Sequence, residues 1–186
     1  MNPYEKCPVF ENEKYLLRLT DKADAEDLLL VYSDQKAVPL FNCDNCFGDF
    51  HMTSLEQVQN CIMFWQEEYQ RKSFVRWTIF DKNASKAVGT IELFNRQADD
   101  YFNNCGLLRL DLRSDYEKAE IIKEILLLIL QPIFEMFDCE MIATKIKPIA
   151  NERIKAAQEL NLVRSEEKLI GGHSGKVYTD YYVLKK

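Results

Sequence analysis

The side chains best suited to chemistry are few and scattered. Cys43-Asp44-Asn45-Cys46, with His51 just beyond and Cys61 later, has the local spacing of half a zinc site. Structural zinc needs four tetrahedral ligands, and no second paired-cysteine motif completes the set, so these read as free thiols in a loop and no metal is expected. A redox pair would need a preceding strand that opens a thioredoxin-like unit, and none is there. His51 and His173, the only histidines, lie far apart in turn-like segments and read as surface residues. Tyr178, Tyr181 and Tyr182 read first as strand residues, with Tyr178 and Tyr182 on one face and Tyr181 on the other; a general acid among them is the sharper alternative. No Ser-His-acid arrangement, P-loop or dinucleotide-type glycine motif occurs, which leaves hydrolase, NTPase and Rossmann chemistry without support.

Composition sets the frame for these residues. A chain of 186 residues, 47% hydrophobic and 29% charged, matches a single globular domain over 1–186. Lys plus Arg number 24 against 30 Asp plus Glu, a net charge of -6, which is wrong for neutralising phosphates over a wide surface, so no nucleic-acid partner is expected. The N-terminus carries acid and proline where a secretory signal needs basic residues and an apolar run, which predicts a cytoplasmic protein with its six cysteines reduced. Lys123, Glu124, Gln131, Pro132 and Glu135 interrupt the most apolar stretch, Ile121 to Phe137, so no membrane span is expected.

The elements that must position any site follow from periodicity. A strand at Tyr15–Leu19 leads to Thr20 or Asp21, either able to cap a helix striped by Ala25, Leu28, Leu29 and Tyr32. Thr53-x-x-Glu56 has the pattern of a capping box opening a second helix, striped by Val58, Cys61, Ile62 and Trp65. The period then falls to two: Phe74–Phe80 and Val88–Phe94 form a hairpin, and Leu107–Leu112 sets Leu108, Leu110 and Leu112 against Arg109 and Asp111. A long helix ends near Phe137, kinked or broken by Pro132. A strand at Met141–Lys147, a helix at Asn151–Leu160 and two strands across Gly171–Gly175 complete the chain. The order predicts an α+β fold with one right-handed strand-helix-strand crossover.

Particular residues sharpen this: Tyr15-Leu16-Leu17-Arg18-Leu19-Thr20 at the entry, Thr53-Ser54-Leu55-Glu56, Ala87-Val88-Gly89-Thr90-Ile91 in the hairpin, and Pro148-Ile149-Ala150-Asn151-Glu152 through Leu160-Asn161-Leu162-Val163. In this order they resemble the GNAT N-acetyltransferase superfamily, in its ribosomal-protein N-acetyltransferase branch, from about Phe10 to Leu184. The resemblance implies a mixed, mainly antiparallel sheet of six or seven strands with a central parallel splay, flanked by about four helices. It implies acetyl-CoA as co-substrate, and a small-molecule amine or a protein N-terminus as acceptor. The donor would lie along Leu110, Asp111 and Leu112, over Glu117, Lys118, Ala119 and Glu120 at the start of the long helix, and beside Asn151. Glu92 stands where some relatives keep a carboxylate that draws a proton from the acceptor, although a charged residue on a half-exposed strand reads first as merely solvated, and His173 would border the acceptor.

One segment departs from the family. Its pyrophosphate loop is glycine-rich because bare backbone must approach the anion at a helix start, whereas here it reads Glu117-Lys118-Ala119-Glu120-Ile121-Ile122. A carboxylate about 4 Å from a phosphate costs on the order of 4 kcal/mol at an effective dielectric near 20, which predicts weak donor binding. Ala157 and Arg153 stand where many members carry a hydroxyl general acid. Two readings follow: an N-acetyltransferase acting by direct attack of the amine, or a GNAT-fold binding or regulatory module that has given up acetyl-CoA.

Overall fold

The computed structural model describes residues 2–172 and 175–186, so His173 lies outside the described residues. Strand β1 (Phe10–Glu11) turns into β2 (Tyr15–Leu19), the Asn12 side chain accepting from the Lys14 and Tyr15 amides at 2.9 and 2.7 Å. Asp21 caps a short 3-10 turn that runs into α1 (Ala25–Tyr32). Helix α2 (Leu55–Gln70) opens on a capping box one residue later than Thr53–Glu56: the Ser54 hydroxyl accepts from the Gln57 amide and the Gln57 side chain accepts from the Ser54 amide. Gln57 serves as well as a glutamate there because the job is to accept a hydrogen bond.

The chain continues through β3 (Val75–Asp81), β4 (Lys86–Arg96), β5 (Cys105–Leu112), α3 (Ala119–Leu127), α4 (Leu130–Met136), β6 (Met141–Lys145), α5 (Asn151–Glu159), β7 (Val163–Arg164), β8 (Leu169–Ile170), β9 (Val177–Tyr178) and β10 (Tyr181–Lys185). The main sheet runs β1-β2-β3-β4-β5-β6-β10-β7, with β8 and β9 as a separate hairpin. Only the β5–β6 step is parallel. This is the mixed sheet with a central parallel step that the sequence predicts; the two-residue edge strands β1 and β7 bring its count to eight. The expected long helix is two, parted at Leu128 and Ile129, ahead of Pro132. Pro132 falls in the first turn of α4, where its missing N–H leaves no bond unmade. The pair across Gly171–Gly175 is the β8–β9 hairpin, and β10 is a further strand inserted between β6 and β7.

Both faces of the sheet are covered. Leu17, Trp77, Ile79, Ile91, Leu110 and Leu112 pack against Ile122, Ile125, Ile133 and Ala156 of α3, α4 and α5. On the other side α1 and α2 contribute Leu28, Tyr32, Ile62 and Trp65, joined by Phe41. Alternation in β3 to β5 therefore separates an apolar buried face from a polar buried face, since Arg76, Thr78, Thr90, Glu92 and Asp111 are all buried. Among the described residues no helix is long and apolar enough to cross a membrane.

Candidate active site

Antiparallel register sets Arg76 on β3 opposite Glu92 on β4, and Glu92 opposite Arg109 on β5, a cross-strand row of alternating charge. The Arg76 guanidinium donates to Glu92 Oε2, and Arg109 Nη1 donates to Glu92 Oε1 at 2.6 Å. Arg76 also donates to Thr90 Oγ1 at 3.0 Å and to Asp111 Oδ2 at 3.1 Å, and lies 4.2 Å from the centre of the Trp65 ring. Glu92 is 2% exposed, so the expectation of a solvated residue on a half-exposed strand is corrected: α1 and α2 cover that face. Burial works to raise the Glu92 pKa, but the charges of Arg76 and Arg109 outweigh it and hold the carboxyl below its ordinary value. Such a carboxylate is ionised at neutral pH and a weak proton acceptor. Burial pushes the Asp111 carboxyl up, against the pull of Arg76 and Arg153, and its Oδ1 has no protein partner.

Above this row lies a cavity of about 670 Å³, walled by α2, the segment Asn45–Met52 and the outer ends of β4 and β5. Asp44 fastens that segment: its carboxylate accepts from Lys145 Nζ at 2.7 Å to both oxygens and from the Tyr181 hydroxyl at 3.1 Å, while its carbonyl accepts from Arg109 Nη2 at 2.8 Å. The Tyr178 hydroxyl accepts from the Asn45 amide at 3.0 Å. Tyr181 and Tyr178 thus hold the cavity wall, and Tyr182 packs in the main core. Cys46 and Cys61 line the cavity as free thiols, burial pushing Cys61 up to about 12, and His51 sits on its wall. No group of three metal-ligating side chains is gathered among the described residues. Between the two cysteines of the paired motif, sequence reasoning passed over Asp44, the residue that anchors the wall; the distant Lys145 that meets it leaves no local signal.

The other face of β5 borders the splay. Parallel pairing with β6 runs from Cys105–Met141 to Leu108–Thr144 and then stops. Past that point, side chains of α5 fill the gap. Arg153 Nη1 donates to the Leu110 carbonyl at 2.9 Å and to the Leu40 carbonyl at 3.1 Å, and its Nε donates to Glu117 at 3.0 Å. Glu152 accepts from the Ala119 amide, the first N–H of α3, at 2.8 Å. The space left between Leu110, Ile122 and Arg153 is about 20 Å³.

The structure brings part of the expected donor set to one place. Leu110, Glu117, Lys118, Ala119 and Asn151 surround the gap between the starts of α3 and α5. Leu112 is buried against β4, and the Asp111 side chain turns to the opposite face, toward Tyr32. Glu120 is exposed in the first turn of α3, whereas Ile122 packs in the core. An acetyl-CoA laid along this strand would need the Leu110 carbonyl and the amide at the α3 start, and both are bonded to α5. A donor laid there must displace Arg153 and Glu152 from these groups.

Comparison with known proteins gives a consistent picture. The family described as acetyltransferase (GNAT) domain matches residues 14–162. A curated relative, the uncharacterized N-acetyltransferase YoaA of Bacillus subtilis (strain 168), is 27% identical over 84 residues, which are 45% of this chain and 44% of that protein. The chain therefore matches less than half the length of that relative. Among solved structures, the ribosomal-protein-S5-alanine acetyltransferase of Vibrio fischeri aligns over 96% of both chains with a TM-score of 0.70 at 18% identity. RimL, a ribosomal alpha-N-protein acetyltransferase solved in complex with coenzyme A, aligns over 96% of this chain and 98% of its own with a TM-score of 0.70 at 14% identity. These structures are similar in fold.

Proposed function

The chain belongs to the GNAT acetyltransferase family, and from that premise we propose that it is a single-domain cytosolic N-acetyltransferase that moves an acetyl group from acetyl-CoA to a primary amine. One observation carries the reading. Strand β5 gives up its parallel partner after Leu108; the next residue, Arg109, lies on the cavity floor, and the one after, Leu110, borders the splay. An acceptor entering from the α2 side and a donor entering from the α3 side would meet at that strand. Glu92, held ionised, is suited to orienting the amine and balancing positive charge on it rather than to strong base catalysis. Arg76 and Arg109 favour the neutral, nucleophilic form of an amine beside them. The remaining rate would come from holding the reactants together, an effect of up to ~7–11 kcal/mol in well-oriented systems.

The test is to incubate the protein with millimolar acetyl-CoA and a panel of small amines and short peptides, reading released thiol and acetylated product. Product from none of them, with the fold intact, would end the proposal. A second reading has its own support: Arg153 and Glu152 occupy the backbone groups a donor would use. On that reading the domain binds a ligand without acetyl-CoA, and calorimetry with acetyl-CoA would register no heat for wild type or for variants that open the gap.

A further inference from the structure

The cavity over the Glu92–Arg109 row says more about the acceptor than family membership does. Phe47, Phe50, Phe64, Trp65, Phe74 and Phe94 contribute to its walls. Phe47 is fully exposed and Phe64 is 51% exposed, and apolar side chains left open around a concave site of this size mark a small-molecule pocket. Its lining holds the Asp49 carboxylate beside the ion-paired Glu68–Arg71 and Arg76–Glu92–Arg109 groups, and the chain as a whole carries a net charge of -6. Both draw a cation toward the mouth. Deeper in, the Arg76 and Arg109 charges beside Glu92 work against an ammonium and toward the free amine.

We infer that this cavity binds a small primary amine carried on an aromatic or similarly flat apolar body, not the N-terminus of a protein. The inference rests on the transferase reading and names its substrate class. A peptide entering the cavity would bury an amide at every residue, each needing a hydrogen-bond partner, and the Phe47, Phe50, Phe64, Phe74 and Phe94 rings supply none. Two nearby carboxylates are already engaged, Asp44 by Lys145 and Tyr181 and Glu68 by Arg71.

The experiment measures binding without any donor, by calorimetry or by Trp65 fluorescence, using phenethylamine, tryptamine, phenylpropionate and trialanine as probes. The two aromatic amines should bind about tenfold or more tighter than trialanine and phenylpropionate, a difference of roughly one well-placed group. Phe64→Ala should weaken them about threefold to tenfold through lost ring contact, with the thermal midpoint kept because half of that ring is in water. Tighter binding of trialanine or of the carboxylate, or no amine binding below the millimolar range, would overturn the inference. The two failures separate cleanly: bound amines that are never acetylated refute the transferase and leave the site, while acetylated trialanine without amine binding refutes the site and leaves the transferase.

Discussion

Arg153 occupies the splay, bonded to Leu110, Leu40 and Glu117, and its removal should open it. The Arg153 and Glu117 side chains are 5% and 8% exposed, and Arg153 further donates to the carbonyls of Leu110 and Leu40. Arg153→Ala alone would strand the Glu117 carboxylate, at a cost of roughly 3–5 kcal/mol of stability. The informative variant is Glu117→Ser with Arg153→Ala, which removes both charges and should cost less, about 1–2 kcal/mol, because a buried pair replaced whole is often near neutral. Before wild type can admit a donor it must release at least the bond to Leu110 and the bond to Glu117, each worth ~1.5–3 kcal/mol as a charged hydrogen bond. Rehydration of the freed groups returns part of this, leaving a net barrier of about 1.5–3 kcal/mol, or roughly 10- to 100-fold in affinity. Titration calorimetry with acetyl-CoA and CoA should find wild type weak and the double variant tighter by that factor. Micromolar binding by wild type that the double variant equals or loses would mean that Arg153 touches the donor and holds it, and the reasoning would fail.

Three further outcomes follow from the same geometry. Glu120→Gly, placed in the double variant, should change acetyl-CoA affinity by less than about threefold, since an exposed charge is screened within ~8 Å at physiological ionic strength; a tenfold gain by calorimetry would show that this side chain faces the phosphates after all. Glu92→Gln should lower stability to urea by about 3–5 kcal/mol, because Arg76 and Arg109 would be left without their shared counter-charge, and a loss under 1 kcal/mol would contradict the buried row. Asp111 has a folded pKa raised above its ordinary 3.8, so its contribution is present below that value and is lost as pH rises through the folded pKa. Asp111→Asn should remove this slope, and urea midpoints from about pH 4 to pH 7 that fall more steeply in the variant than in wild type would reverse the assignment.

Periodicity made most of the elements legible. The β2 boundaries, the start of α5 and the stripes of α1 and α2 are set by local spacing, and they stand where spacing puts them. What local reading misjudged was the meaning of polarity within a strand. Arg76, Thr78, Thr90 and Glu92 alternate with apolar residues as a water-facing row would, yet they are buried because α1 and α2 close over them and their partners lie on neighbouring strands. Pairing across strands is invisible to a pattern that counts along one. The anchor from Asp44 to Lys145, about a hundred residues away in the chain, is beyond such a pattern for the same reason.

The donor loop shows a subtler limit. Glycine missing from Glu117–Ile122 suggests electrostatic repulsion by Glu120, which is exposed in the first turn of α3; the backbone groups beside it are meanwhile bonded by α5. Glu152 bonds the amide that starts α3, and Arg153 bonds the strand carbonyl exposed where β6 departs. An amide at a helix start and an unpaired strand carbonyl buried without water must find partners, since each left orphaned costs ~1–3 kcal/mol. In a protein that binds its donor tightly, the donor can be that partner. Here the chain supplies both partners itself from consecutive residues, Glu152 and Arg153, and Glu117 supplies the counter-charge that lets the arginine be buried. The glycine-free loop and this triad are therefore physically consistent with each other: where the loop offers no bare backbone to a phosphate, an internal carboxylate and guanidinium satisfy the groups left over. It follows that restoring glycine alone should not restore affinity, whereas removing the pair at Glu117 and Arg153 should expose whatever capacity for the donor the splay retains.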